Sequence, residues 1–337
     1  MKTTKRTLRT LRTLRTLAAK PTVAGWIGRR VIGAALTVLI ASILIYGALR
    51  LVPGDPVLAL TGGRRLTPDQ VEALRHRHGL DQGFAQGYLG WLGGVLRLDL
   101  GTSLNYQTGV TSLITGRLGV SGLLILYSAV LATVAGSAVA LVSAVKGGLV
   151  NRLAGVAAAV ATATPTFVAA IGLLAFFSVG LGWFPATGAG TGLADRLWHL
   201  TLPATAMAIA AFGVLARVGN AAFTEELGRE HVEVARSRGV SGAAVVGRHV
   251  VRNALAPMLT VVGLLFASLF VGTAVVETAF GLDGIGSLLV SSVSRRDFPV
   301  VQGIALIAVV LFVVVNTLVD MALPFIDPRV TVGGLRR

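Results

Sequence analysis

Apolar residues in this chain are gathered into long stretches that carry no charge, and the charged residues are bunched between them. Uncharged runs separate Arg30 from Arg50, Arg117 from Lys146, Arg152 from Asp195, Arg196 from Arg217, Arg252 from Glu277, and Asp297 from Asp320. Each can hold the roughly 20 apolar residues that a helix needs to cross a bilayer. The third run is longer, but Trp183, Pro185, Gly188, Gly190 and Gly192 mark its second half as loop. The pattern therefore predicts an all-α membrane protein with six transmembrane helices, at 31–50 and about 119–145, 153–181, 199–217, 254–276 and 299–322. A basic segment, 1–30, precedes them, and a segment at 51–117 with short helices separates the first span from a core at 118–326. Within the core a polar loop fills 218–252 and a second loop 277–298, and a tail follows at 327–337.

Composition supports a lipid solvent. The chain is 54% hydrophobic and only 13% charged, with a mean hydropathy of +0.77, more apolar than one soluble core can hide. A net charge of +15 raises the question of nucleic acid, and its distribution answers it. With the N-terminus in the cytoplasm, the inward segments 1–30, 146–152, 217–252 and 327–337 carry 20 Lys or Arg against 5 Asp or Glu. The outward segments carry 10 against 9, and Asp320 sits at the inner end of the last span. The positive-inside bias accounts for the whole excess, so both termini are expected in the cytoplasm and nucleic acid is not needed as a partner. The absence of cysteine excludes disulfide staples and thiol or iron–sulfur chemistry.

Between the spans several segments carry local signals. The N-terminal segment repeats Thr-Leu-Arg from Thr7 to Leu17, a basic tail suited to a membrane surface. The run from Val31 to Leu49 is too long for the apolar part of a signal peptide and reads as a retained first span. Pro53 and Pro56 stop its helix. Thr67-Pro68-Asp69-Gln70 has the form of a capping box, with Gly79 ending the helix it opens. Phe84, Tyr88, Trp91, Leu92 and Val95 recur at helical spacing, which suits either a membrane–water boundary or packing within an outer cap.

The polar stretch from Arg217 to Arg252 holds six arginines and four glutamates, too polar for lipid and too patterned for a random loop. Glu225, Arg229 and Glu233 lie four apart, while Val232 and Ala235 leave an apolar side, which predicts a surface helix ending near Gly239. Gly239 suits a left-handed closing position and Ser241 can cap the next helix, so the segment reads as helix, tight turn, helix. On composition alone these charges also fit an ordinary solvated inward loop.

Glu233-Val234-Ala235, three residues and Gly239 resemble the Glu-Ala-Ala, three residues, Gly loop (the EAA loop) of ATP-binding-cassette (ABC) importer permeases, with Val234 in place of the first alanine. That pattern usually ends in a proline where this chain has Arg252. The run Arg252-Asn253-Ala254-Leu255-Ala256-Pro257 instead resembles the dipeptide, oligopeptide and nickel permease branch, as does Arg236-Ser237-Arg238-Gly239. Leu51 to Pro56, Leu98 to Ser103, Trp183-Phe184-Pro185, Leu200 to Pro203, Asp297 to Gly303 and Asp327-Pro328-Arg329 are similar to the same branch, whereas Phe280 to Gly286 matches it less well.

The resemblance implies a type I ABC importer permease fold and a coupling helix from about Glu226 to Arg238, seated on a separate ATPase. Glu233, Ala235 and Gly239 would be its central residues, with Arg229, Arg236 and Arg238 pairing with the partner. It also implies a second homologous permease subunit, two ATPase domains or subunits that carry the ATP and Mg, and an external solute-binding protein. The cargo it implies is a short peptide, with nickel chelates and haem-like solutes as alternatives.

ATP hydrolysis is not expected in this chain. A P-loop needs Gly-Lys-Ser/Thr, and the only lysines are Lys2, Lys5, Lys20 and Lys146, none in that setting. No cofactor or metal site is expected: His76 and His78 fall on different faces of a helix and lack a third ligand. A passive channel or an ion-coupled carrier are rivals within transport, though the nearly charge-free spans disfavour proton coupling. From another class, Gly119-Val120-Ser121-Gly122 matches the Gly-x-Ser-Gly pattern of intramembrane serine proteases, which would need His199 as base. The same pattern recurs at Gly239 to Gly242, so it arises cheaply in a chain with 42 glycines.

Overall fold

The computed structural model describes residues 23–51, 67–70, 72 and 82–326. The Thr-Leu-Arg segment, Pro53, Pro56, His76, His78, Gly79 and the tail from Asp327 lie outside the described residues. Helix α1 spans Val23–Arg50 and α2 Phe84–Val95. Then come α3 (Val110–Lys146), α4 (Gly148–Ala163) and α5 (Thr166–Leu173), which continues through a wider π turn over Leu174–Gly180. Helix α6 spans Gly192–Leu227 and α7 Glu230–Ser237. The short α8 (Gly242–Val245) runs through a π stretch, Val246–Val251, into α9 (Arg252–Ala279). Helices α10 (Ile285–Ser294) and α11 (Phe298–Ile326) complete the order.

Five of these helices are long and apolar enough to cross a membrane, and α4 with α5 makes a sixth crossing if the bent pair is one span. The bend is 99°. Its cause is Pro165, which lacks a backbone N–H and forces Thr164 out of the helical region, at φ −76 and ψ 115. The hydropathy pattern predicts one span over 153–181, because hydropathy does not register the break. Most helices also outrun their uncharged stretches. Helix α3 starts before Arg117, and α6 includes Asp195 and Arg196. Charges end an apolar run without ending a helix.

Helix α6 is the centre of the bundle, with its longest contact along α3 and others with α9, α4 and α5. Leu200, Ala204, Ala208, Ala211 and Leu215 form its core face. Helix α1 lies at the edge on α11, where Arg30 pairs with Asp320 at 2.7 Å. The aromatic stretch of α2 packs onto α1. Tyr88 hydroxyl and Ser42 hydroxyl lie 2.9 Å apart, Tyr46 meets Phe84 edge to face, and Arg50 donates to Tyr46 and to the carbonyl of Gln82. Phe84, Tyr88 and Trp91 thus gather around Tyr46 of α1. At 67–70, Gln70 accepts the backbone N–H of Thr67 at 3.1 Å, the half of a capping box that reaches back to the cap residue.

Candidate functional site

The polar loop between α6 and α9 carries the predicted coupling residues on an exposed, structured segment. Helix α6 ends at Leu227, Gly228 turns, and Arg229 is extended at φ −79, ψ 146, as the residue that opens α7. The family resemblance implies one helix from about Glu226 to Arg238. Instead there are two, because Arg229 leaves the helical region and its carbonyl restarts the ladder, accepting from Val232 at 2.9 Å and Glu233 at 3.3 Å. Glu230 and Glu233 lie in the first turn of α7 and Arg236 in its last, signs that suit the helix dipole.

At the far end Gly239 has φ +79, a conformation that disfavours any residue with a Cβ. Its N–H reaches the carbonyl of Arg236, and Val240 N–H that of Ala235, closing the helix in a Schellman-type turn. Ser241 then opens α8 with its backbone, accepting from Val245 at 3.0 Å, and makes no side-chain cap.

Val232 is fully buried and Ala235 nearly so. They sit in an apolar cluster with Ala140 of α3, Phe223 of α6, and Val245, Val250, Ala254 and Met258. This base fixes which side of α7 faces out. Glu233, Arg236, Arg238 and Gly239 are exposed together, with Val234 and Val240 among them. Ala235 is separated from that group and faces the bundle, where a small side chain lets α7 lie close.

Arg229 belongs to a different constellation. Its guanidinium binds Glu225 and Glu226, each at 2.9 Å. Glu226 is 4% exposed and also accepts the Asn253 side-chain amide at 2.6 Å, with His231 Nε2 3.3 Å away. One buried carboxylate thus joins the end of α6, the start of α7 and the first turn of α9. Hydrogen bonds to a charged group are worth about 1.5–3 kcal/mol each, so this carboxylate ties the three segments firmly. Sequence reading counted Glu226 among the loop charges and missed its role. Nothing in the sequence near Glu226 signals it, because its partner Asn253 lies 27 residues further on, in the first turn of α9.

Ser121 does not meet His199. Its hydroxyl donates to Glu277 and accepts from Ile285 N–H, while His199 bonds the carbonyl of Asp195. Ser121 and His199 therefore do not form the serine–histidine pair that a protease needs.

A family model for the binding-protein-dependent transport system inner membrane component matches residues 99–332, and one for the N-terminal part of such membrane components matches 24–120. The chain is 36% identical over 303 residues to the glutathione transport system permease protein GsiC of Pectobacterium atrosepticum, covering 90% of this chain and 97% of that one. It is 37% identical over 306 residues to a putative peptide transport system permease protein of Brucella abortus, with the same coverage. A solved inward-facing structure of the MetNI methionine ABC transporter matches with a TM-score of 0.48 and 16% identity, over 65% of this chain and 96% of that chain.

Proposed function

Because the chain belongs to the family of binding-protein-dependent transport system inner membrane components, the permease subunits of ABC importers, we propose that it carries short peptides across the inner membrane and that α7 is its coupling helix. The relatives' names favour peptides of the size of glutathione over nickel or haem-like cargo. A second homologous permease would enclose the path with it, two ATPase domains or subunits would bind ATP and Mg beneath, and an external solute-binding protein would deliver the peptide. The chain itself catalyses no bond.

The observation that carries the coupling assignment is the division of labour on α7. Val232 and Ala235 seat one side on the bundle, and Glu233, Arg236, Arg238 and Gly239 leave a charged, sharply terminated side free. A partner that pushes on that side moves α6 and α9 through Glu226. Arg229 serves this joint from within the loop rather than the partner surface.

The test is uptake into vesicles by the purified complex. Placing like charges against each other at a docking surface works against association, so Glu233→Arg is expected to lower ATP-dependent uptake at least about tenfold. Gly239→Pro is expected to do the same, since proline is held near φ −65° and lacks the N–H that Arg236 accepts. Recovery of the permease without any ATPase, or uptake unchanged in both variants, would sink the assignment.

Orientation follows from the charge bias and has its own measurement. Trypsin is expected to cut between Arg229 and Arg248 only from the cytoplasmic side of sealed vesicles, and cutting from outside would reverse the topology.

A further inference from the structure

At the end of the bundle away from α7, helix α10 is held by a buried carboxylate at each end. Glu277, in the last turn of α9, is fully buried. One oxygen accepts the Ser121 hydroxyl of α3 at 2.6 Å, and the other accepts Ser287 N–H at 2.9 Å. Gly286 N–H also bonds this carboxylate, and Ser121 Oγ accepts Ile285 N–H at 2.8 Å. The first three N–H groups of α10, which no helix can satisfy internally, are thus taken by two side chains from other helices. A Cβ at Gly284 would overlap the Glu277 carboxylate, and one at Gly286 would lie 2.5 Å from the backbone N of Ala274. The glycines therefore let α10 sit directly on α9.

Asp297, just past α10, is also fully buried. It accepts the Ser103 hydroxyl and the N–H groups of Leu104 and Asn105, each N–H at 3.1 Å. Its own N–H returns to Ser292 at 2.8 Å, and Arg296 between them takes φ +57. Between the two carboxylates, Ile285 and Leu288 pack with Leu100, Val110, Val300 and Ile304. On the surface Arg117 reaches Asp283 at 2.8 Å.

We propose that the turn at 103–105, the near end of α3, the last turns of α9, helix α10 and the first turn of α11 form one rigid block throughout the transport cycle, with Glu277 and Asp297 as its fasteners. Lifting α10 off α9 would strand a buried carboxylate and three helix N–H groups. Each such loss costs more than an ordinary packing contact, and charged acceptors cost most. Access at this end therefore changes at the margins of the block, and α10 does not swing as a lid. The inference rests on the importer reading only in assuming that a transport cycle exists.

The chain has no cysteine, so a pair can be introduced without background labelling within it. In the complex with its ATPase and binding protein, Arg117→Cys with Asp283→Cys is joined by a short reversible thiol reagent that ties α3 to the start of α10. Uptake by the linked complex is expected to stay within about twofold of the unlinked one, below the fivefold that an ordinary allosteric coupling produces. A fall beyond about fivefold, reversed by reductant, would overturn the block.

Hydrogen exchange supplies a readout that does not depend on uptake. The amides of Ile285, Gly286 and Ser287 are expected to stay protected with and without nucleotide. They should stay so in Glu277→Gln, which keeps an acceptor oxygen, whereas in Glu277→Ala the amides of Gly286 and Ser287, which lose their acceptor, should exchange freely. Deprotection of the unmutated chain in any nucleotide state would show that α10 lifts. Failure of the importer reading would appear separately, as no ATP-dependent uptake by the unlinked protein.

Discussion

Gly213→Leu is expected to abolish the folded, monodisperse protein. Gly213 lies midway along α6, where α4 crosses so closely that an added Cβ would overlap the Thr162 hydroxyl and come within 2.5 Å of the Ala158 carbonyl and 2.8 Å of Thr162 N. Two of those three atoms are backbone and cannot turn aside, and Thr162 is itself bonded to Ala158 at 2.7 Å. Between helices in lipid there is no hydrophobic drive to compensate, because the tails are as apolar as the side chains; close packing is what holds them. One methyl in such a place costs about 1–3 kcal/mol, and a leucine must push the two helices apart. The displaced pair is α4 and α5, already bent at Pro165 and seated on the core mainly through α6. The measurement is size-exclusion profile and thermal stability in mild detergent, with Gly155→Leu as the comparison, since Gly155 on the exposed side of α4 has nothing within 4 Å. If both variants are equally stable, the α4–α6 crossing is looser than described.

Lipid explains why the spans were so legible. Charge is excluded from the bilayer, so gaps between Arg, Lys, Asp and Glu marked the helices before any propensity was weighed. What that signal could not reach lies at the helix ends. Asp195 and Arg196 ended an apolar gap yet sit inside α6, and Pro165 broke a run that hydropathy joined. The periodicity of Glu225, Arg229 and Glu233 was also real, but it bridged two helices across Gly228 and an extended Arg229, where the glycine was the warning. Gly239 was readable because a left-handed position has a residue signature of its own. Glu226, Glu277 and Asp297 had none. All three look like loop charges in the sequence, and their burial depends on Asn253, Ser121 and Ser103, which lie 27, 156 and 194 residues away along the chain. No local pattern records a meeting of that kind.

Glu226→Ala is expected to uncouple the complex, leaving ATP hydrolysis while uptake falls about tenfold or more. Removing one member of a fully buried ion pair usually costs 3–5 kcal/mol, because the other charge is stranded. That does not apply here. Arg229 has a side chain 45% exposed and keeps Glu225 at 2.9 Å, so it stays solvated and paired. The loss falls instead on Asn253 and on the geometry of α7, about 1–3 kcal/mol, which is too little to unfold the bundle. On the proposed coupling role it is enough to slacken the joint through which α7 would move α6 and α9 together. The coupling helix would still bind its partner through Glu233, Arg236 and Arg238, so hydrolysis continues without work. A double-mutant cycle separates this from general damage. If Arg229 acts through Glu226, then adding Arg229→Gln to Glu226→Gln should cost much less uptake than Arg229→Gln costs in the unmutated chain. Simple additivity of the two would mean that Arg229 meets the ATPase directly, and that the force reaches α9 by another route.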